Sequence, residues 1–286
     1  MNYWSLASSA SKWLGLLAMA GVTGGSFSLW LAARLRLAHD GKIPRYMLAS
    51  AVLGLCAACG FFLVQIGAIN QAGLVGMFDG TLVRILAQTP LGYAAALRVF
   101  AFACIAAAAV WMHGLTRAVV LVASIVLLAF TVSLTGHIST LAYIARVGVV
   151  LHVLTAFLWV GALYPLLLLS AVGQSAGLKQ LMLLFGQLAV YGVAVLLVSG
   201  MLLLAQTLAS LDALLTTAYG QAFLVKLGGV VLLLGLAATN KLLLVPRLTT
   251  LSSTRRLRLS IRAEILIACF VLAVTAWLTT AVGPAH

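Results

Sequence analysis

The chain has 286 residues, 64% of them hydrophobic and only 7% charged, with a mean hydropathy of +1.19. A water-soluble domain carries about 25% charged residues, and no single core could hide this much apolar side chain, so a soluble globular protein is excluded and the bilayer must solvate most of the surface. Seventeen basic residues stand against four acidic ones, a net charge of +13; most of that charge lies in short segments between apolar runs, which points to membrane topology and away from nucleic acid.

A membrane-crossing helix needs about 20 apolar residues, and eight such runs follow one another, over 12–37, 46–69, 91–113, 117–137, 144–170, 179–207, 216–244 and 261–282. Runs of this length satisfy their own backbone only as helices. The expectation is an all-α, polytopic protein of about eight transmembrane helices, forming one integral membrane domain over 1–286. Gly21, Gly24 and Gly25 interrupt the first span and Gly228, Gly229 and Gly235 the seventh, where small residues let helices approach closely. The second span holds Cys56-Ala-Ala-Cys59, with both sulfurs on one helical face. Between the second and third spans, Leu74, Val75, Met77, Phe78, Leu82, Val83, Ile85 and Leu86 pattern as a short amphipathic element on the membrane surface. Pro165 is expected to kink the fifth span. The stretch 246–262 reads as a basic loop with affinity for anionic lipid.

The segments after spans 1, 3, 5 and 7 share one side of the membrane. They hold Arg34, Arg36, Lys42, Arg45, Arg117, Lys179, Lys241, Arg247, Arg255, Arg256, Arg258 and Arg262, against Lys12, Arg84 and Arg146 opposite. The excess of Lys and Arg in cytoplasmic segments places both termini outside the cytoplasm.

Polar residues inside a membrane are costly, about 2.5–3.5 kcal/mol for a charge at mid-bilayer, so they mark where function resides. Arg98 in the third span, His152 in the fifth and Lys226 in the seventh fall at similar depth in the outer half. His137 ends the fourth span, and the short connection after it brings that span beside the fifth. Two imidazoles on neighbouring helices suit copper, zinc, iron or nickel alike; each could equally be a packing residue with a hydrogen bond. Trp159 lies two turns from His152 on the same face and can wall a cavity or pack. Cys56 and Cys59 offer thiolates for Cu(I) or behave as small apolar packing residues. Glu264 is the only carboxylate within a span, level with Asn240 and Lys241; a structural salt bridge and a proton-coupling or exit-site role are both open. Four cysteines, all inside apolar runs, do not suggest a disulfide framework.

Leu-Thr-Gly-His at 134–137, the run Leu-His-Val-Leu-Thr-Ala-Phe-Leu-Trp-Val-Gly-Ala-Leu-Tyr-Pro at 151–165, Phe185-Gly186, Ser199-Gly200, Tyr219-Gly220-Gln221, Lys226, Asn240-Lys241, Glu264, and the closing Leu278-Thr279-Thr280 and Pro284 together resemble the copper resistance D (CopD) family over about 90–286. The resemblance implies a bacterial inner-membrane protein that handles copper as a transporter from periplasm to cytoplasm, not an enzyme, with a periplasmic copper-binding partner of the CopC type. It makes His137 and His152 the metal candidates, with Trp159 beside them; Lys226 and Glu264 match family positions. No histidine- or methionine-rich segment accompanies them, so capture of copper is expected to fall to a separate protein, with His286 at the C-terminus as a further ligand candidate. Two other readings stand beside transport: a haem or redox protein with histidine-ligated iron, and a protein that holds or senses metal without moving it.

Overall fold

The structure is a computed structural model that describes residues 3–37, 39–136, 142–170, 176–207, 212–248 and 250–282. Among these residues all regular structure is helical. Eight helices are long and apolar enough to cross a bilayer, as the hydropathy pattern requires. The shortest of them, α5 (Gly114–Val132), has 19 residues, about 28 Å at 1.5 Å per residue, close to the thickness of the hydrocarbon core.

The other spans are α1 (Tyr3–Arg34), α2 (Lys42–Asn70), α4 (Pro90–Trp111), α6 (Tyr143–Leu169), α7 (Ala176–Thr207), α9 (Ala218–Thr239) and α10 (Leu251–Trp277). The last two run on into π-helical turns, Asn240–Leu244 and Leu278–Val282. Two short helices, α3 (Gly80–Ala87) and α8 (Ala213–Thr216), lie in connections.

Two helix starts differ from the expected spans. α1 begins at Tyr3 rather than near residue 12, because polar side chains of its first turns find tertiary partners: Ser8 donates to Gln65 Oε1 at 3.1 Å, and Ser9 meets Thr280 Oγ1 at 2.6 Å. α10 begins at Leu251, so most of the expected basic loop 246–262 is helix. Thr250 starts it with a capping box, its hydroxyl accepting from the Ser253 N–H while the Ser253 hydroxyl accepts from the Thr250 N–H. Pro165 sits inside α6, and the helix continues through it to Leu169.

α1 is the most enclosed span and packs against α2, α6 and α10. Glycine is what permits this. Gly21 and Gly25, one turn apart, face Ser50 and Met47 of α2, while Gly24 meets the backbone of Gly161 on α6. A Cβ on Gly161 would collide with the Ala20 carbonyl. The Tyr46 hydroxyl donates to the Gly161 carbonyl at 3.2 Å and so ties α2 into the same crossing. Around it lie Val22, Leu31, Met47, Phe102, Leu163 and Leu166, all buried. α4 packs on α2 and α5 on α4; on the other flank α7 leans on α6, and α9 pairs with α10.

The connection between α2 and α4 has the expected amphipathic character. A 3-10 turn, Leu74–Phe78, precedes α3, which Asp79 caps by accepting from the N–H groups of Thr81 and Leu82, each at 2.9 Å. Leu74, Val75, Phe78 and Ile85 remain exposed.

Candidate functional site

The polar residues singled out from the sequence fall into separate groups. α4, α6 and α9 all start at the end of the bundle opposite the basic connections, and Arg98, His152 and Lys226 stand ninth, tenth and ninth in them. They stand within one residue of the same position along their helices, but their partners divide them.

His152 projects from α6 onto α7. Its Nδ1 lies 3.1 Å from Ser199 Oγ, and its ring packs over Gly200, where a Cβ would stand 3.3 Å from Cε1. The single hydroxyl proton of Ser199 goes to the Val195 carbonyl at 2.6 Å. Ser199 Oγ is then placed to accept from His152 Nδ1, and the same imidazole interacts with the Leu196 carbonyl. Lys226 of α9 lies near enough to act on this imidazole electrostatically. Ser199 was visible in the sequence only as half of a small-residue pair; its role depends on how α7 is rotated.

Arg98 turns the other way, to α5. Its Nε donates to Thr131 Oγ1 at 2.9 Å and its Nη2 to the Thr131 carbonyl at 3.4 Å. Thr131 stands in the last turn of α5, where carbonyls lack intrahelical partners and a cation is favoured. The arrangement ties two helices together.

A third group lies nearer the basic end. A cavity of about 290 Å³ opens between α6, α7, α9 and α10. Its walls include Trp159, Leu163, Met182, Phe185 and Ile261, and its polar groups are Asn240, Lys241 and Glu264. Glu264 is 3% exposed, and its Oε1 accepts from Asn240 Nδ2 at 2.7 Å. The expected structural salt bridge is thus replaced: the partner is the Asn240 amide, and among the described residues the ion pair found is Lys42–Asp40, at 3.9 Å. Asn240 opens the π-helical turn, in which Val245 N–H reaches back to the Asn240 carbonyl at 2.8 Å. π-turns within α-helices recur at functional sites. Trp159 both lines this cavity and packs against the α9–α10 contact of Leu233, Ala268 and Val271.

Cys56 and Cys59 share a face of α2, as their spacing requires, and that face is exposed, so the packing role weighed for them is not what the structure shows. His137, the other proposed metal ligand, lies outside the described residues, as do Pro284 and His286. Among the described residues no three His, Cys, Asp or Glu side chains gather in one group.

The family model for copper resistance protein D matches residues 179–278, and that for the copper resistance protein D-like N-terminal domain matches residues 1–142. The chain belongs to the copper resistance protein D family. In this CopD protein the two matched stretches cover seven of the eight spans, including the first two. They leave 143–178 between them, the stretch that carries His152 and Trp159. The α1–α6 crossing at Gly24 and Gly161 packs that middle helix against the N-terminal stretch. Copper resistance and a multi-pass membrane location follow from the family and the eight apolar helices. No curated protein and no solved structure matches the chain.

Proposed function

We propose that this protein carries copper inward across the bacterial inner membrane, from periplasm to cytoplasm, with both termini periplasmic. The observation that supports this best is the His152–Ser199–Lys226 arrangement. An imidazole whose Nδ1 is engaged by Ser199 presents Nε2 as a ligand held in one orientation, as in metal-binding histidines whose second nitrogen is fixed by a neighbour. The nearby Lys226 cation opposes a tightly held metal ion. Conduction needs sites strong enough to enter and weak enough to leave, and a single imidazole with few further ligands meets that condition.

His137, the other histidine that the family resemblance singles out, supplies a second imidazole. Copper then passes from the histidines toward the basic end, by Trp159 and the cavity at Glu264. Arg98 supports the helices around the entrance. Cys56 and Cys59, facing outward, stand apart from this route. The scarcity of ligands leaves copper capture to a periplasmic protein of the CopC type, docking at the exposed end near α3. Copper is the cargo here, and the chain acts as a carrier and not as an enzyme.

X-ray absorption of the copper-loaded protein in lipid tests the ligand assignment. Imidazole scattering that falls in His152→Ala, and disappears when His137→Ala is added, is the expected result. Copper bound with undiminished imidazole scattering in the double variant would refute it, and a Soret band in the purified protein would favour haem instead.

A further inference from the structure

Glu264 and Asn240 form a polar floor beneath an otherwise apolar cavity. Glu264 is almost fully buried, and Asn240, 9% exposed, uses its Nδ2 on Glu264 Oε1. The other amide atom of Asn240, Oδ1, is buried without a hydrogen-bond partner, and leaving a buried acceptor unpaired is costly. The site therefore presents acceptors, a carboxylate and a carboxamide oxygen, and asks for a donor or a cation.

The number of ligands decides which. Calcium-like cations take six to eight oxygens and magnesium six, and soft copper prefers sulfur and imidazole. One carboxylate and one amide make no such cage, but a proton needs a single oxygen. The cavity above them, about 290 Å³, exceeds the roughly 30 Å³ that one water occupies in the liquid, so it has room for water at the polar floor.

The charged groups around Glu264 are few. α6 and α7 face the cavity with apolar side chains, and the π-turn after α9 contributes Lys241, whose stem runs along Gly186 at the cavity edge. Arg262 is exposed, two residues before Glu264 on α10. α1, packed on α10 from the other side, carries Lys12 near one end and Arg34 at the other.

We propose that Glu264, held by Asn240, is a proton-binding site that exchanges its proton with water entering from the basic end of the bundle. The carboxyl O–H is formed and broken at Glu264, and the Asn240 Oδ1 receives the water that brings or removes the proton. Glu264 can then become neutral when no cation is present in the inner half and ionise when one arrives, giving inward cation movement a compensating charge. This last link rests on the transport reading; the proton site itself does not.

Infrared difference spectroscopy in lipid vesicles without copper tests it. Wild type, Glu264→Gln and Asn240→Ala are stepped between acidic and alkaline buffer, in H2O and in D2O. The expected result is a carboxylic-acid carbonyl band that comes and goes with pH, shifts in D2O and is absent in Glu264→Gln. Its midpoint moves in Asn240→Ala, which removes the hydrogen bond to the carboxylate. Glu264→Asp, which keeps the acid, should retain a displaced band even if Glu264→Gln folds poorly. No Glu264-dependent band change at any pH, or a band that never exchanges with deuterium, would overturn the proposal. Because copper is left out, a negative copper-flux result leaves this outcome unaffected.

Discussion

At His152 the direction of one hydroxyl proton fixes the chemistry of the ring. Ser199 gives its hydrogen to the Val195 carbonyl, so its oxygen is placed to accept from the imidazole Nδ1 and to orient the ring. Partners that orient a metal-binding histidine are worth about 10–100-fold in metal affinity. Ser199→Ala should therefore weaken copper binding within that range while leaving the protein folded, measured by copper titration against a competing chelator. Lys226→Met should act oppositely, tightening copper by on the order of tenfold, about 1.4 kcal/mol, because it removes a nearby positive charge. The same titration checks both, and an unchanged affinity in both variants would remove His152 from the binding site. His152 itself was legible in the sequence as a costly polar residue in an apolar run. Its partner was not, because a serine in a helix more often bonds its own backbone, and only the rotation of α7 reveals the additional contact. Glu264 and Asn240 were legible as residues at one level, but the choice of Asn240 over Lys241 depends on the π-turn that sets where each side chain points.

At the scale of the helices, the apolar runs located all eight spans because in lipid a helix must satisfy its own backbone over a fixed thickness. Hydropathy located helix ends less well. The first turns of α1 and α10 are polar or basic and read as connections, yet tertiary hydrogen bonds extend α1, and α10 begins at a capping box. Glycine positions were visible without their meaning: Gly24 and Gly161 lie in different spans, and their contact appears only when α1 and α6 cross. The Gly161→Leu change should be among the most damaging single substitutions here, since its side chain enters the Ala20 backbone. Overpacking a tight core costs about 1–3 kcal/mol, and collision with a backbone that other helices hold leaves little room to relax. Thermal unfolding in detergent should show a clear drop for Gly161→Leu and almost none for Gly60→Ala, where a Cβ meets open space. Equal stability of the two variants would contradict the close α1–α6 crossing.

Across the whole molecule, charge and depth give the account its direction. The end that carries Arg34, Lys42, Arg255, Arg256 and Arg258 is the one expected in the cytoplasm, and His152, tenth in α6, lies toward the other. Single-cysteine variants at Arg84 and Arg256, in a background without the native cysteines, test the orientation in intact cells. A membrane-impermeant thiol reagent should label position 84 directly and position 256 only after permeabilisation; the reverse pattern would invert the path from entry to exit.

The central claim is that copper crosses the membrane by way of the histidines. Copper accumulation in proteoliposomes of wild type and of the His137→Ala/His152→Ala double variant tests it most directly. Copper uptake by the wild type should fall to the protein-free background in the double variant. Uptake that persists undiminished in that variant, or wild-type protein that binds copper and moves none, would contradict it.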